Sequence, residues 1–299
     1  MSQFTWTMTV WLLLTVLVTS CAAVGRRVVD LTHVYDERVP KYPLGNFGVE
    51  NFTYYKMTNL FSDYSSNDSD TWITIRRMEI YEHQGTHIDA PLHFTNGGQD
   101  LTQIPPERLY GPGVVIDVRD KAAANPDYAV TVQDILDYEK EFGRIPVGAI
   151  VMMNSGWQFK YPDARRVFGS DNIQDPTSFH FPGFDIKACN MLLTERQVHV
   201  IGVDTPSTDP ANLPVYYCHK LLQPNNMPLL EYVANLDAIP KTGTTIILGA
   251  PKIRNGTGGH TRILAFLPDD GEDVTGGARR LASSIIVASM SAVIVFSFC

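Results

Sequence analysis

The sequence predicts a strand-rich α/β fold in a single domain, and three observations carry that prediction. Short apolar runs recur at Ala149–Met153, Val198–Val203 and Thr244–Leu248, the pattern of strands in a sheet interior. Thr71–Tyr81 and Gly113–Val118 read as further strands, the first through its β-branched and aromatic residues. One stretch, from Thr131 to Tyr138, carries a helical signature instead. Thr131 stands as a cap with Asp134 three residues on, and apolar positions follow at helical spacing.

Taken in order, the chain opens with an apolar run, Val10 to Val18, followed by Cys21-Ala22-Ala23. The run is too short to span a membrane, and the small residues offer a cleavage point. Residues 1–23 therefore read as a secretory signal peptide, with a short N-terminal anchor as the rival. About 250 residues then follow without a linker, repeat or low-complexity tract, enough for one domain with a full core. That domain is placed at residues 24–275. The remainder, residues 276–299, ends in the uncharged run Leu281–Cys299. Small residues from Thr275 to Ala278, two arginines and a terminal apolar tail form a signal for a glycolipid anchor. A single-pass helix is the rival there, although no basic cytoplasmic flank follows it. The expected location is the cell surface, reached through the secretory pathway.

A net charge of −8 without a basic cluster argues against a nucleic-acid partner. Sequons at Asn51, Asn67 and Asn255 permit glycosylation at a frequency near chance. Within the domain, Cys189 and Cys218 remain. An extracellular compartment allows them to pair, and two separate buried thiols fit the sequence equally well.

The densest chemistry lies in EHQGTHIDAPLH, Glu82 to His93. His83, His87, Asp89 and His93 are separated by 4, 2 and 4 residues. A straight strand would place all four on one face but spread them over roughly 33 Å. Ligands of one ion must approach it to about 2 Å. The chain must bend, and Gly85 and Pro91 supply the places. A helix is excluded by Pro91, and Gln84 stands where a helical metalloprotease would carry its glutamate. Imidazole with carboxylate suits zinc, manganese or iron.

Other chemistries are thin. No G-x-S-x-G elbow occurs. Gly256-Thr257-Gly258-Gly259-His260-Thr261 lacks the lysine of a phosphate loop and reads as a turn. Gly111-Pro112-Gly113 lacks the third glycine of a dinucleotide site.

The pattern His83-x-Gly85-Thr86-His87-x-Asp89-x-Pro91-x-His93 resembles the signature of the cyclase family, which includes bacterial-type kynurenine formamidases and isatin hydrolases. Further segments match it in order: Asp30-Leu31-Thr32, Val39–Pro43, Asn154–Trp157, Phe181-Pro182-Gly183 and Gly202–Ser207. The resemblance covers residues 28–268 and implies a single strand-rich α/β domain of the swivelling β/β/α type with peripheral helices.

It also implies roles. His83, His87 and Asp89 correspond to the ligands of one divalent ion, and His93 to the proton donor and acceptor. His219 and Glu231, twelve residues apart, correspond to a second ligand group, with the aspartate and the glutamate bridging in two-metal members. Zn²⁺ is expected first and Mn²⁺ second, as one or two ions. Tyr42 and Trp157 correspond to aromatic residues near substrate, Tyr42 standing where the family often has tryptophan. A bound divalent ion would activate water and polarise a carbonyl, with His93 passing the proton to the leaving nitrogen. An aryl amine leaves more readily than an alkyl amine. The resemblance thus implies a metal-dependent amidohydrolase acting on a small aryl amide, N-formylkynurenine first and a cyclic amide such as isatin second. A surface binding protein that kept the scaffold without turnover is the reading from another class. A homodimer is the expected assembly.

Overall fold

The computed structural model describes residues 27–44, 54–213 and 215–268. The signal segment at residues 1–23, the tail at 276–299 and the sequon at Asn51 lie outside the described residues. No helix among the described residues is long and apolar enough to cross a membrane.

The strands of the main sheet are β1 (Val28–Asp30), β4 (His87–Asp89), β5 (Tyr110–Asp117), β7 (Ile150–Asn154), β9 (Val200–Val203), β10 (Leu229–Glu231), β11 (Thr244–Gly249), β12 (Gly258–His260) and β13 (Arg262–Phe266). Their order is β1-β13-β11-β5-β7-β9-β10-β4-β12. The centre, β5 to β10, is parallel, and the remaining pairs are antiparallel. Two small pairs complete the set: the arm β2 (Tyr55–Ser65) with β3 (Asp68–Ile80), and β6 (Ala129–Val130) with β8 (Gly183–Phe184). Every strand expected from the sequence is present, shifted by at most three residues at an end.

Why the central runs are apolar throughout follows from burial on both faces. Along β7, Val151 and Met153 face one cluster, and Ile150 and Met152 face the other. The first cluster lies under the helices α2 (Val132–Phe142), α4 (Ile186–Met191) and α5 (Tyr217–Leu222), while α1 (Arg119–Ala124), after β5, contributes no residue to it. The fifth helix, α3 (Ala164–Phe168), packs with Trp157, Phe179, Phe181 and Tyr232 in a third, aromatic cluster. The second cluster joins Leu31 and Ile263 near one end of the sheet to Ile88 near the other. One apolar cluster can touch both ends only if the sheet curls over it.

The start of α2 is the expected one. Thr131 Oγ1 accepts from the Asp134 N–H at 3.3 Å, and Asp134 accepts from the Thr131 N–H at 2.7 Å. Two backbone donors that a helix start leaves unpaired are thereby engaged, typically worth about 1 kcal/mol per cap.

Cys189 and Cys218 form a disulfide between α4 and α5. Of the two states the sequence left open, the structure shows the paired one.

Candidate metal centre

The chain enters the site from the arm. After β3 it passes Glu82 and His83, then turns at Gly85, whose φ of +61° lies in the left-handed region. A Cβ there would stand 2.9 Å from the Tyr35 ring, so both conformation and space call for glycine. The turn sends His87–Asp89 into the sheet as β4 and leaves His83 folded back beside Asp89. Pro91 then opens a short 3-10 turn, Pro91–His93, that swings His93 over the same spot. The two bends are those the spacing required.

Strand β4 lies between β10 and β12. Register with β10 places Glu231 opposite His87. Register with β12 places Gly258 opposite Asp89. The absent side chain of Gly258 leaves room for the His83 ring, which a Cβ would meet at 2.5 Å. His219 arrives from α5.

Five side chains meet here. His83 Nδ1 lies 2.7 Å from Asp89 Oδ1, and His87 Nε2 lies 3.2 Å from the same oxygen. His219 Nε2 lies 3.4 Å from both Asp89 Oδ2 and Glu231 Oε1. His87 Nε2 is 3.5 Å from Glu231 Oε2. They form two ligand groups, His83–His87–Asp89 and Asp89–His219–Glu231, sharing Asp89.

The outward partners show that this arrangement fits a cation. His87 Nδ1 donates to the Gly85 carbonyl at 2.8 Å. His219 Nδ1 donates to Asp209 at 2.6 Å. A neutral imidazole carries one N–H, so the inward nitrogen of each ring is bare. In the neutral rings these nitrogens would face carboxylate oxygens, acceptor against acceptor, unless a proton or a cation lies between. His87 Nε2 and Asp89 Oδ2 are buried with no hydrogen-bond partner, a state that costs free energy unless positive charge intervenes.

The titration behaviour has the same cause. Burial opposes charge on His87, but Asp89, Glu231 and the Gly85 carbonyl raise its pKa to about 9. Burial also opposes charge on His219, yet Asp209, Asp89 and Glu231 raise it well above the usual imidazole range. Burial works against an ionised Asp89, and the surrounding imidazoles nonetheless hold it well below the usual carboxylate range. Burial and the charge of Asp89 raise Glu231. A divalent cation would take the place of these protons.

His93 stacks face to face on His83, ring centroids 3.8 Å apart. Burial brings its pKa down to about 3 against the pull of Asp89, with His83, His219 and His87 adding to the depression. It is therefore neutral at pH 7.

The aromatic residues divide. Tyr42 lines a cleft of about 400 Å³ with Phe179, Phe181, Ser207, Asp209 and Tyr216. Its hydroxyl is 3.3 Å from that of Tyr216. Asp209 is the partner of His219, so the cleft borders the centre. Trp157 is buried in the aromatic cluster, and its indole N–H donates to the Val167 carbonyl at 2.8 Å. The structure thus brings Tyr42 to a cleft and packs Trp157 into core. The segments Asn154–Trp157 and Gly202–Ser207 meet at Asp204. Its carboxylate accepts from Ser155 Oγ at 2.6 Å and from the Trp157 N–H at 2.9 Å. Burial raises Asp204 to about 6 although these donors work in the other direction.

Sequence reasoning missed Asp209, Tyr216, Glu82 and Thr257. Asp209 also accepts from the backbone N–H groups of Cys218 at 2.6 Å and His219 at 3.2 Å, which orients the start of α5 as well as the ring. A signal was present for Glu82, the residue before the first histidine. Gly256–Thr261 was expected as a turn, and its Gly258–His260 portion is instead strand β12.

Comparison with known proteins agrees with this geometry. The Cyclase family model matches residues 29–210. The match ends before His219 and Glu231, which the structure itself brings to the cluster. An isatin hydrolase of Roseibium aggregatum is 33% identical over 201 residues, covering 64% of this chain and 74% of the relative. A kynurenine formamidase of Erythrobacter litoralis is 28% identical over 206 residues, covering 68% and 82%. The structure of isatin hydrolase A from Ralstonia solanacearum superposes with a TM-score of 0.74 at 31% identity, covering 85% of this chain and 97% of that one. On the family match, the shared fold and the clustered ligands, the chain belongs to the cyclase family of metal-dependent hydrolases.

Proposed function

We propose that the protein hydrolyses the amide bond of a small aryl amide with one or two divalent ions held by His83, His87, Asp89, His219 and Glu231. The observation that carries this reading is the meeting of three inward imidazole nitrogens with two carboxylates in one largely buried cluster. A cyclic aryl amide of the isatin type stands first. The higher identity to an isatin hydrolase, 33% against 28% for the formamidase, supports that order. N-formylkynurenine, placed first on the sequence motifs, stands second. Zn²⁺ and Mn²⁺ both suit the donor set.

When bound, the ion supplies an activated water and a positive charge for the amide oxygen. The chain supplies the rest. His93 is neutral, stands over the ligand cluster and takes a proton from the attacking water at a ring nitrogen. It then returns that proton to the departing aryl nitrogen. Tyr42 and the cleft beside it receive the part of the substrate that does not react, and Trp157 holds that wall from behind. Asp209 keeps His219 turned inward.

The test is metal content of the purified full chain, followed by ultraviolet assay on isatin and N-formylkynurenine. Turnover that disappears on chelation and returns with Zn²⁺ or Mn²⁺ is the expected result. Full turnover after exhaustive chelation, with metal shown absent, would overturn the metal reading. Bound metal with no turnover of any aryl amide would favour the binding-protein reading.

A further inference from the structure

We propose that Gln223 is a positioning residue for His93: its side-chain carbonyl holds the peptide that follows His93 and so fixes where that imidazole stands over the metal centre. This rests on the reading above that His93 moves the proton, and it adds a residue that the sequence motif does not contain.

A peptide unit is planar, so a residue's backbone is fixed when the planes on both sides of it are held. The plane before His93 is held locally. Its N–H donates to the Ala90 carbonyl at 2.9 Å, within the 3-10 turn. The plane after His93 carries the Phe94 N–H, and that donor meets Gln223 Oε1 at 2.7 Å. A backbone N–H only donates, so the oxygen of the side-chain amide is the atom that faces it. The hold on this second plane therefore comes from another element, 129 positions along the chain.

Gln223 is itself fixed. It is fully buried at the end of α5. Its backbone N–H donates to the His219 carbonyl, and its own carbonyl accepts from the Asn226 N–H at 2.9 Å. His219 and Gln223 stand four residues apart and so share a helix face. Phe94 lies along that face. Its ring centroid is 4.6 Å from that of His219 and 5.2 Å from that of Tyr216, the residue that precedes α5. On its other side the Phe94 ring meets His93 edge to face at 4.7 Å. One face of α5 thus delivers a candidate ligand and the acceptor that sets the peptide of His93. The proton-transfer imidazole is registered to the helix that carries the ligand. Leucine would fill the same buried place with no polar group to satisfy, so the acceptor is what glutamine adds.

The experiment uses the full chain loaded with Zn²⁺ or Mn²⁺, with isatin or N-formylkynurenine as substrate. Gln223→Leu should keep its bound metal and lose about 10–100-fold of kcat, the usual cost of disturbing an outer partner or of a small displacement of a catalytic group. Gln223→Glu keeps an oxygen at that place and should recover most of the loss. A double-mutant cycle then separates positioning from general support. In a His93→Ala background, Gln223→Leu should change the residual kcat by no more than about twofold, because its effect runs through a ring already removed. A full independent loss in that background would overturn the proposal. So would wild-type kcat in Gln223→Leu, loss of metal in step with kcat, or no rescue by glutamate. Amide hydrogen exchange of the wild-type protein needs no variant and no turnover. The Phe94 amide should be protected, and exchange at the rate of an open loop would overturn the proposal even if the leucine variant failed to fold. Failure of the reading beneath it looks different. His93→Ala would then keep its own kcat, whereas failure here leaves His93→Ala impaired beside an unimpaired Gln223→Leu.

Discussion

At the scale of single residues, His93 is the imidazole of the cluster whose position suits proton transfer. It covers His83, it is neutral, and it belongs to neither ligand group. His93→Ala should keep bound metal and lose about 10²–10⁴ of kcat, the usual contribution of general acid–base catalysis. Bound metal and kcat must be measured on the same preparation. Loss of metal would make His93 a ligand, and an unchanged kcat would remove it from the mechanism. The ligands themselves show how far residue identity reaches. His83, His87 and Asp89 were legible because their spacing is local and Gly85 and Pro91 announce the bends. Asp209 was not legible. Its role depends on meeting His219 ten positions later across a loop, and an aspartate alone carries no such signal.

At the scale of elements, two features set how firmly the site is held. The first is the disulfide between α4 and α5, which joins residues 29 apart. Cys218 precedes His219, so the staple acts on the turn that delivers a candidate ligand. Cys189→Ser with Cys218→Ser should lower stability by about 2–4 kcal/mol, read as a fall in the chemical-denaturation midpoint. It should also weaken binding of the ion held by Asp89, His219 and Glu231. Unchanged stability would show that packing of the two helices suffices without the bond. The second is the arm, β2 with β3. Neither strand joins another sheet, and Met57, Leu60, Phe61, Tyr64, Trp72, Ile75 and Met78 are exposed on it. An isolated two-stranded hairpin is marginal in water. Met57, Tyr64, Trp72 and Met78 share one face of the arm and Phe61 and Ile75 the other, so the arm is apolar on both sides. The homodimer expected from the resemblance should therefore bury the arm. Light scattering should give a dimer for the wild type and a monomer for Trp72→Asp with Ile75→Asp. A dimer that persists in that variant would place the interface elsewhere, and a wild-type monomer would remove it.

At the scale of the whole molecule, the question is where the chain works. The ends read as a signal peptide and a glycolipid signal lie outside the described residues. The paired cysteines suit an oxidising compartment. We expect the mature protein on the outer cell surface, held by a glycolipid. Phosphatidylinositol-specific phospholipase should release it from intact cells into the medium. Retention on cells whose control anchors are cleaved would point to a membrane-spanning helix, and protein already free in the medium to secretion. A surface position would expose the site to extracellular aryl amides rather than to an intracellular pool.

The sequence by itself determined what short-range physics controls. Two apolar runs became the buried central strands β7 and β9 and the third the alternately buried β11, Thr131 and Asp134 became a capping box, and the bends at Gly85 and Pro91 gathered three ligands and His93. These features depend on dihedral preference and periodicity within a few residues, which a chain displays before it folds. Tertiary structure alone decided the rest. Pairing of β10 and β12 with β4 brought Glu231 and Thr257 to the cluster, curling of the sheet closed one core over it, and packing put Trp157 behind the cleft rather than in it. Those outcomes are set by contacts between residues as far as 174 positions apart. A hydroxyl that meets an imidazole from that distance leaves no mark in the local pattern around either residue.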